Sequence, residues 1–204
     1  MSGAGKSTIA GLLAEEYGLR LYCCDDAQPA HTARSNPADY PMLHAFMAMT
    51  MDERWVTRTP EEMFRTFHGY HGEGFGLILE DLLDLPTEAP VLVEGYKLLP
   101  RLVFPLLSRL DQAVWLLPTP EWRRTAFSRR GSLWSIAGRT SDPQASLANL
   151  LARDALFTEE VARQAVALQL STIEIDGSLA VDELVERAAG CLGLGPGAKN
   201  LSEK

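Results

Sequence analysis

The sequence has little cysteine and no long apolar segment. Its cysteines are Cys23, Cys24 and Cys191, and none of them has the CxxC spacing of a redox or zinc motif. No apolar run is long enough to cross a bilayer, and the first residues do not resemble the charged and then apolar parts of a secretory signal. We therefore expect a reduced, cytoplasmic protein that neither spans nor binds a membrane.

Positive charge is scarce overall. The formal net charge is -8 at pH 7, and a surface with this balance repels a polyanion such as nucleic acid. We therefore expect no nucleic-acid partner. The arginines concentrate between Arg123 and Arg139, and this local cluster favours a site for an anion.

The length and composition are those of one globular domain. Of the 204 residues, 46% are hydrophobic and 23% are charged, enough to bury a single core. We assign residues 1–192 to this domain. Residues 193–204 are rich in Gly, Pro and Lys and have nothing to bury, so we expect a disordered tail.

Segments with strand-like and helix-like apolar spacing alternate along the chain. This alternation predicts an α/β fold with a parallel sheet covered by helices on both faces. The predicted strands are residues 19–24, 91–95, 113–117 and 172–175. The predicted helices run from 6 to 17, from 60 to about 85 with a break at 72–76, from 146 to 168 and from 181 to 192, with loops at 27–42 and 131–143.

The first residues carry the most specific motif. Gly3-Ala4-Gly5-Lys6-Ser7-Thr8 matches the later part of the Walker A pattern GxxxxGK[ST] and directly precedes an amphipathic helix. Small residues let backbone amides wrap an anion, Lys6 reaches the outer phosphates, and Ser7 can bind magnesium. The sequence therefore predicts a site for ATP and Mg²⁺, against the plainer alternative of a glycine-rich helix cap.

The strand that feeds such a loop is missing from the sequence. The first glycine of the pattern would lie one position before Met1, and the strand would lie earlier still. That strand is central in doubly wound sheets, and its neighbours lack a partner without it. We expect the natural protein to begin roughly ten or more residues upstream, with an internal residue where Met1 stands. An in-frame stop codon directly before Met1 would contradict this expectation.

Several segments in this order resemble one group of enzymes. They are Gly5-Lys6-Ser7-Thr8, Leu21-Tyr22-Cys23-Cys24-Asp25-Asp26, Val91-Leu92-Val93-Glu94-Gly95, and the helix from Pro118 through Trp122-Arg123-Arg124 to Arg129-Arg130. The chain resembles the P-loop kinases related to nucleoside monophosphate kinases, nearest the branch with chloramphenicol phosphotransferase and the zeta toxins. The resemblance implies a three-layer P-loop sandwich, with a helical acceptor-side insertion at 27–85 and a lid loop at 131–143.

The resemblance also implies roles for several acids. Asp26, or failing it Asp25, would take the proton of an acceptor hydroxyl, because the carboxyl ends of parallel strands face the ligand crevice. The alternative is that both acids merely start a turn. Glu94 would orient magnesium, its water or the substrate, unless it is an ordinary loop acid. Lys97, a basic residue close to Glu94 in the sequence, either contacts an anion or is a solvated lysine.

The arginines would stabilise the charge of the migrating phosphoryl group. The resemblance places Arg129, Arg130 and Arg153 in this role, and gives Arg123 or Arg124 a place against the adenine. Gly177 would pass its backbone over the base. For each arginine the alternative is a solvated surface position.

The expected activity is ATP-dependent transfer of the γ-phosphoryl group to a hydroxyl of a small molecule. A hydroxyl gains from a base such as Asp26, whereas an acceptor phosphate is already ionised. The alternatives are a nucleotide or nucleoside kinase and an ATP-binding regulatory module without transfer activity.

Two further features suggest no chemistry of their own. Gly72-Glu73-Gly74-Phe75-Gly76 follows a helix and lacks the GxGxxG spacing, so we interpret it as a helix break or a bend on the substrate side. The four histidines lack HExxH or other paired metal spacing, which favours core or surface positions.

Overall fold

The computed structural model describes residues 3–130 and 136–195, with the backbone alone at 129 and 130, and shows a mixed α/β chain. The helices are α1 (Lys6–Tyr17), α2 (Cys24–Arg34), α3 (Pro41–Ala48), α4 (Met51–Trp55), α5 (Pro60–Thr66), α6 (Phe75–Leu83), α7 (Pro100–Val103), α8 (Pro120–Arg130), α9 (Pro143–Ala167) and α10 (Val181–Cys191). Short 3-10 turns occupy His68–Tyr70, Phe104–Leu106 and Leu110–Gln112. The strands are β1 (Arg20–Cys23), β2 (Val91–Glu94), β3 (Val114–Pro118) and β4 (Ser171–Ile175).

The strands form two parallel pairs. β1 pairs with β2, with Cys23 opposite Glu94, and β3 pairs with β4, with Val114 opposite Ser171. The described residues therefore contain two two-stranded parallel sheets. The predicted α/β class and all four predicted strands are confirmed. The apolar run of β1 suggests a buried strand, but Leu21 is 36% exposed, and β1 has a strand partner on only one side among the described residues.

Neighbouring residues of β3 face different cores. Leu116 packs with Ile9 and Leu13 of α1 and with residues of α10. Trp115 packs with Phe157 of α9 and other residues of a second cluster. Because successive side chains of a strand point to opposite faces, helices cover both sides of β3.

The local sequence explains where helix α1 begins and ends. Gly5, at φ 72, begins the helix, and Gly18, at φ 62, ends it in the left-handed conformation that glycine adopts without strain. Leu19 N then donates to Ala14 O at 2.9 Å. The buried face of α1 includes Ile9 and Leu13. The limits are those that the sequence predicts. The sequence places Ile9, Leu12, Leu13 and Tyr17 on one apolar stripe, but Leu12 is 37% exposed while the other three are buried.

The loop predicted at 27–42 is wrong for most of its length. Helix α2 extends to Arg34, and α3 begins at Pro41. The first turn of α2 is acidic and its last turn is basic, which suits the helix dipole. Its buried His31 places Nε2 2.8 Å from Asp81 Oδ2, so tertiary contact stabilises a helix that contains Pro29. The Pro, Ser and Asn content alone indicated a loop.

The predicted tail also needs correction. Leu194 packs against the core cluster of α1 and α10, and its N donates to Ala189 O at 2.9 Å. The fold therefore continues through Gly195, while residues 196–204 lie outside the described residues. Of the predicted loop at 131–143, residues 131–135 also lie outside them, and Asp142 caps α9 by accepting from Ala145 N.

No helix in the described parts of the chain is both long and apolar enough to cross a membrane. All three cysteines lie in these parts and are free thiols.

Candidate functional site

The loop before α1 turns sharply at two glycines. Gly3 and Gly5 have φ values of 83 and 72, where side chains other than glycine are strained. Ala4 between them is 2% exposed. The first turn of α1 contains no acidic residue, and the N–H groups at the amino end of a helix favour an anion.

The structure brings together the two residues predicted to bind magnesium. Ser7 Oγ donates to Glu94 Oε1 at 2.9 Å, although 87 residues separate them. Lys6 Nζ lies 3.9 Å from Glu94 Oε2. Glu94 is 7% exposed, and its Oε2 has no hydrogen-bond partner among the described residues. The loop and the end of β2 therefore share one charged site.

This pair of oxygens suits magnesium only together with a nucleotide. Mg²⁺ takes six oxygen ligands and is commonly held by one or two protein groups plus phosphates and water. Within the described residues, no group of three or more His, Cys, Asp or Glu side chains could hold a metal by itself. Ser7 and Glu94 would therefore contribute two positions to a metal that arrives with ATP.

The two predicted base residues lie beside this site. Asp25 and Asp26 occupy the first turn of α2 and are exposed. They directly follow Cys23, which is opposite Glu94 in the sheet. Burial, and then the charge of Glu94, raise the pKa of the Cys23 thiol to about 11. Asp25, Asp26 and Glu94 therefore make the carboxyl ends of β1 and β2 acidic. The Cys23 thiol is protonated at neutral pH.

Trp122 of α8 contacts both the loop before α1 and the turn after β4, a role that the sequence did not reveal. Its Nε1 donates to Gly3 O at 3.2 Å. Gly177 follows β4 at φ 87, and a Cβ there would lie 2.3 Å from the Trp122 ring. Gly177 thus makes room for the indole. Its predicted contact with a base stays a prediction.

The neighbouring arginines of α8 differ in exposure. Arg123 is 1% exposed, lies against Gly3 and donates through Nη2 to Thr158 Oγ1. Arg124 is exposed. Of the two arginines predicted to lie against the adenine, Arg124 is the one that is open to solvent, and its contact with a base stays a prediction. The side chains of Arg129 and Arg130 lie outside the described residues.

Arg153 is neither on the surface nor facing solvent. It is 7% exposed, and its Nη2 donates to Asp154 Oδ1 at 2.6 Å. Its guanidinium lies 5.0 Å from the ring of Trp55 and 4.9 Å from that of Phe67. The alternative of a solvated arginine is therefore wrong, and Asp154 already occupies part of its donor capacity.

Lys97 is buried as well. It is 2% exposed, so the alternative of a solvated lysine is wrong. Burial lowers the pKa of its ammonium group. The predicted break in the helix between 60 and 85 is present, but it lies at 67–74 and not at 72–76: α5 ends at Thr66, and α6 begins at Phe75 and includes Gly76.

An apolar cavity of about 300 Å³ lies between the two sheets. It is lined by Val91–Glu94 of β2 and by Val114, Trp115 and Leu116 of β3, and it extends to Lys6. The facing sides of β2 and β3 have no strand partner among the described residues.

We compared the chain with protein-family models, with curated proteins and with solved structures. No family model, curated protein or solved structure matched.

Proposed function

We propose that the protein is an ATP-dependent phosphotransferase that moves the γ-phosphoryl group to a hydroxyl of a small molecule. The observation that supports this most is the contact of Ser7 with Glu94 at the mouth of the glycine loop. It combines an anion cradle, a lysine, a hydroxyl and a buried carboxylate in one place. Phosphoryl transfer needs these groups, since its catalysis is mainly positioning and charge stabilisation.

Residues 3–8 would bind the triphosphate. The backbone amides of the loop and the amino end of α1 would surround the phosphate oxygens, and Lys6 would reach the outer phosphates. Ser7 and Glu94 would hold Mg²⁺, which neutralises charge between the β- and γ-phosphates. Arg124, which is exposed on α8, would contact the adenine.

Asp26, or Asp25 in its place, would act as the base. The acceptor oxygen attacks the γ-phosphorus as its proton passes to the carboxylate, and the bond from phosphorus to the oxygen of ADP breaks. Both acids are exposed beside Glu94, as a base that must meet an incoming acceptor requires. Arg129, Arg130 and Arg153 would stabilise the phosphoryl charge, Arg153 after a change in its pairing with Asp154.

We also propose that the two sheets are halves of one parallel sheet in a P-loop three-layer sandwich. The apolar cavity separates the unpaired sides of β2 and β3. An extended strand parallel to both would end near Glu94, where Ser7 places the phosphate loop. Such a strand would therefore connect directly to Gly3, and the helices on both faces of β3 would become the outer layers.

Two substitutions test the proposed transfer. Asp26→Asn should keep the affinity for ATP and lose phosphoryl transfer from labelled ATP to a pool of metabolites. Lys6→Ala should weaken both. If the Asp25→Asn/Asp26→Asn double variant leaves turnover intact, neither acid is the base and that assignment is wrong. A protein that binds ATP but transfers no phosphate to any pool would instead be a regulatory module.

A further inference from the structure

Lys97 is a buried cation without a close partner. Only 2% of it is exposed, and among the described residues it makes no hydrogen bond and no ion pair. The groups that favour its charge are Cys24 and Asp25. The Cys24 thiol is neutral at pH 7, since burial and then Asp25 raise its pKa to about 12. A buried ammonium group this poorly compensated calls for a further anion.

The ammonium of Lys97 faces the amino end of α6. Its Nζ lies 3.0 Å from the position of a Cβ at Gly74, which is the N-cap residue directly before α6. This nine-residue helix has no side-chain cap at that end and no acid in its first turn. A helix amino end and an ammonium group are both positive, so each repels the other unless an anion lies between them.

The acid nearest in sequence does not neutralise Lys97. Glu73 accepts hydrogen bonds from Met42 N at 2.9 Å and from Leu43 N at 2.8 Å, so its carboxylate caps α3. Gly72 and Gly74 on either side have φ values of 89 and 86. The chain therefore turns Glu73 toward α3 and brings the backbone of Gly74 to Lys97.

His68 contributes a second unpaired group to this region. It is 4% exposed, and its Nδ1 is buried without a hydrogen-bond partner among the described residues. Burial first, and then the charges of Lys97 and Arg153, lower its pKa to about 4. A neutral imidazole can still donate one N–H to an anion.

We infer that Lys97, His68 and the amino end of α6 bind an oxyanion of the acceptor, either a carboxylate or a phosphate. This inference rests on the proposed function and adds the class of substrate, an alcohol that also carries a negative group. Lys97 follows Glu94 by three residues, and the charge of Asp25, one of the two candidate bases, acts to raise the Lys97 pKa. Lys97 therefore lies on the acceptor side of the proposed site.

Inorganic phosphate is the probe for this site. The titration uses a Lys6→Ala variant, because the phosphate loop then no longer contributes its lysine. Calorimetry should find saturable phosphate binding, weakened at least tenfold by adding Lys97→Met. Adding Arg163→Met instead removes a cation whose side chain is 69% exposed and should change nothing.

Melting experiments ensure that misfolding is not mistaken for lost binding. Methionine replaces a buried charge by an apolar chain of similar shape, so the Lys97→Met protein should fold. At the same phosphate concentration, the melting temperature should rise more for Lys6→Ala than for Lys6→Ala/Lys97→Met. The inference is overturned if Lys6→Ala binds no phosphate or if Lys97→Met does not weaken binding. Magnesium-dependent ATP binding by the unmodified protein is measured separately, so either proposal can fail alone.

Discussion

Ser7 and Glu94 are joined by a hydrogen bond of 2.9 Å between the start of α1 and the end of β2. The other carboxylate oxygen of Glu94 is buried without a hydrogen-bond partner among the described residues, 3.9 Å from the Lys6 ammonium. A buried carboxylate oxygen without a hydrogen-bond partner can still bind a cation. The pair therefore links the glycine loop to the acidic ends of β1 and β2.

Glu94→Gln should remove most of the effect of magnesium on ATP binding. The amide keeps an oxygen but loses the charge that attracts the metal. We expect the gain in ATP affinity on adding Mg²⁺ to fall at least tenfold, about 1.4 kcal/mol. Affinity without metal should stay or rise, since a charge that repels the triphosphate is gone. Calorimetry with and without Mg²⁺ measures both.

Glu88→Gln is the matched control for this change, because Glu88 is exposed. It should leave both affinities as they are. An equal magnesium effect in the Glu94→Gln and unmodified proteins would remove Glu94 from the metal site.

Gly177→Ala should destabilise the fold and loosen the phosphate loop. The new Cβ would lie 2.3 Å from the Trp122 ring, at a φ of 87 that alanine rarely adopts. We expect a loss of about 2 kcal/mol or more in unfolding free energy. ATP affinity should fall too, because Trp122 binds Gly3 O. Urea unfolding and ATP titration provide the two readouts.

Gly11 in α1 has no atom within 4 Å of an added Cβ and serves as the control. Gly11→Ala should be neutral or stabilise the helix by up to about 1 kcal/mol. Equal effects of the two substitutions would mean that the contact of Gly177 with Trp122 is unimportant.

An apolar strand supplied before residue 1 should stabilise the protein. We propose adding Leu-Ile-Val-Val-Gly directly before Met1, so that it can pair with the free sides of β2 and β3. A net gain on the order of 2 kcal/mol corresponds to a rise of roughly 4–8 °C in melting temperature for a chain of this size. The same extension with proline at two positions cannot complete both ladders and should give no rise. Equal melting temperatures for the two extensions would argue against one continuous sheet.

His68 should make stability depend on pH between 7 and 5. Its pKa in the folded protein is about 4, against an ordinary value of 6.5. Between these values the unfolded chain binds the proton and the folded protein does not, so stability falls as pH falls. The loss from pH 7 to pH 5 should be about 2 kcal/mol. Urea unfolding at both pH values measures it.

His68→Phe keeps an aromatic ring and removes the titration, so it should flatten this pH dependence. His71→Phe changes an exposed histidine and should not. A pH dependence that survives His68→Phe would assign the effect to another group.

Local pattern was sufficient to predict α1 and β2. Gly5 and Gly18 mark the ends of α1, and Val91–Glu94 is a short apolar run closed by an acid. Helix α2 was missed because its stability comes from contacts of His31 and Arg34 with Asp81, 47 or more residues away. Such contacts leave no trace in local composition.

The candidate site likewise contains residues that local sequence predicts and residues whose positions depend on remote contacts. Residues 3–8 form one continuous motif, and Glu94 follows from the order of the strands. The burial of Lys97 could not be predicted, because remote residues such as Gly74 and Cys24 surround it. Arg123 and Arg124 are adjacent in an arginine-rich helix, so composition alone did not distinguish the buried residue from the exposed one.

Titration calorimetry of the protein with ATP, in the presence and absence of Mg²⁺, tests the central proposal most directly. We predict saturable binding that Mg²⁺ strengthens and that Lys6→Ala weakens at least tenfold. Absence of magnesium-dependent ATP binding by the folded protein, or equal binding by Lys6→Ala, would contradict it.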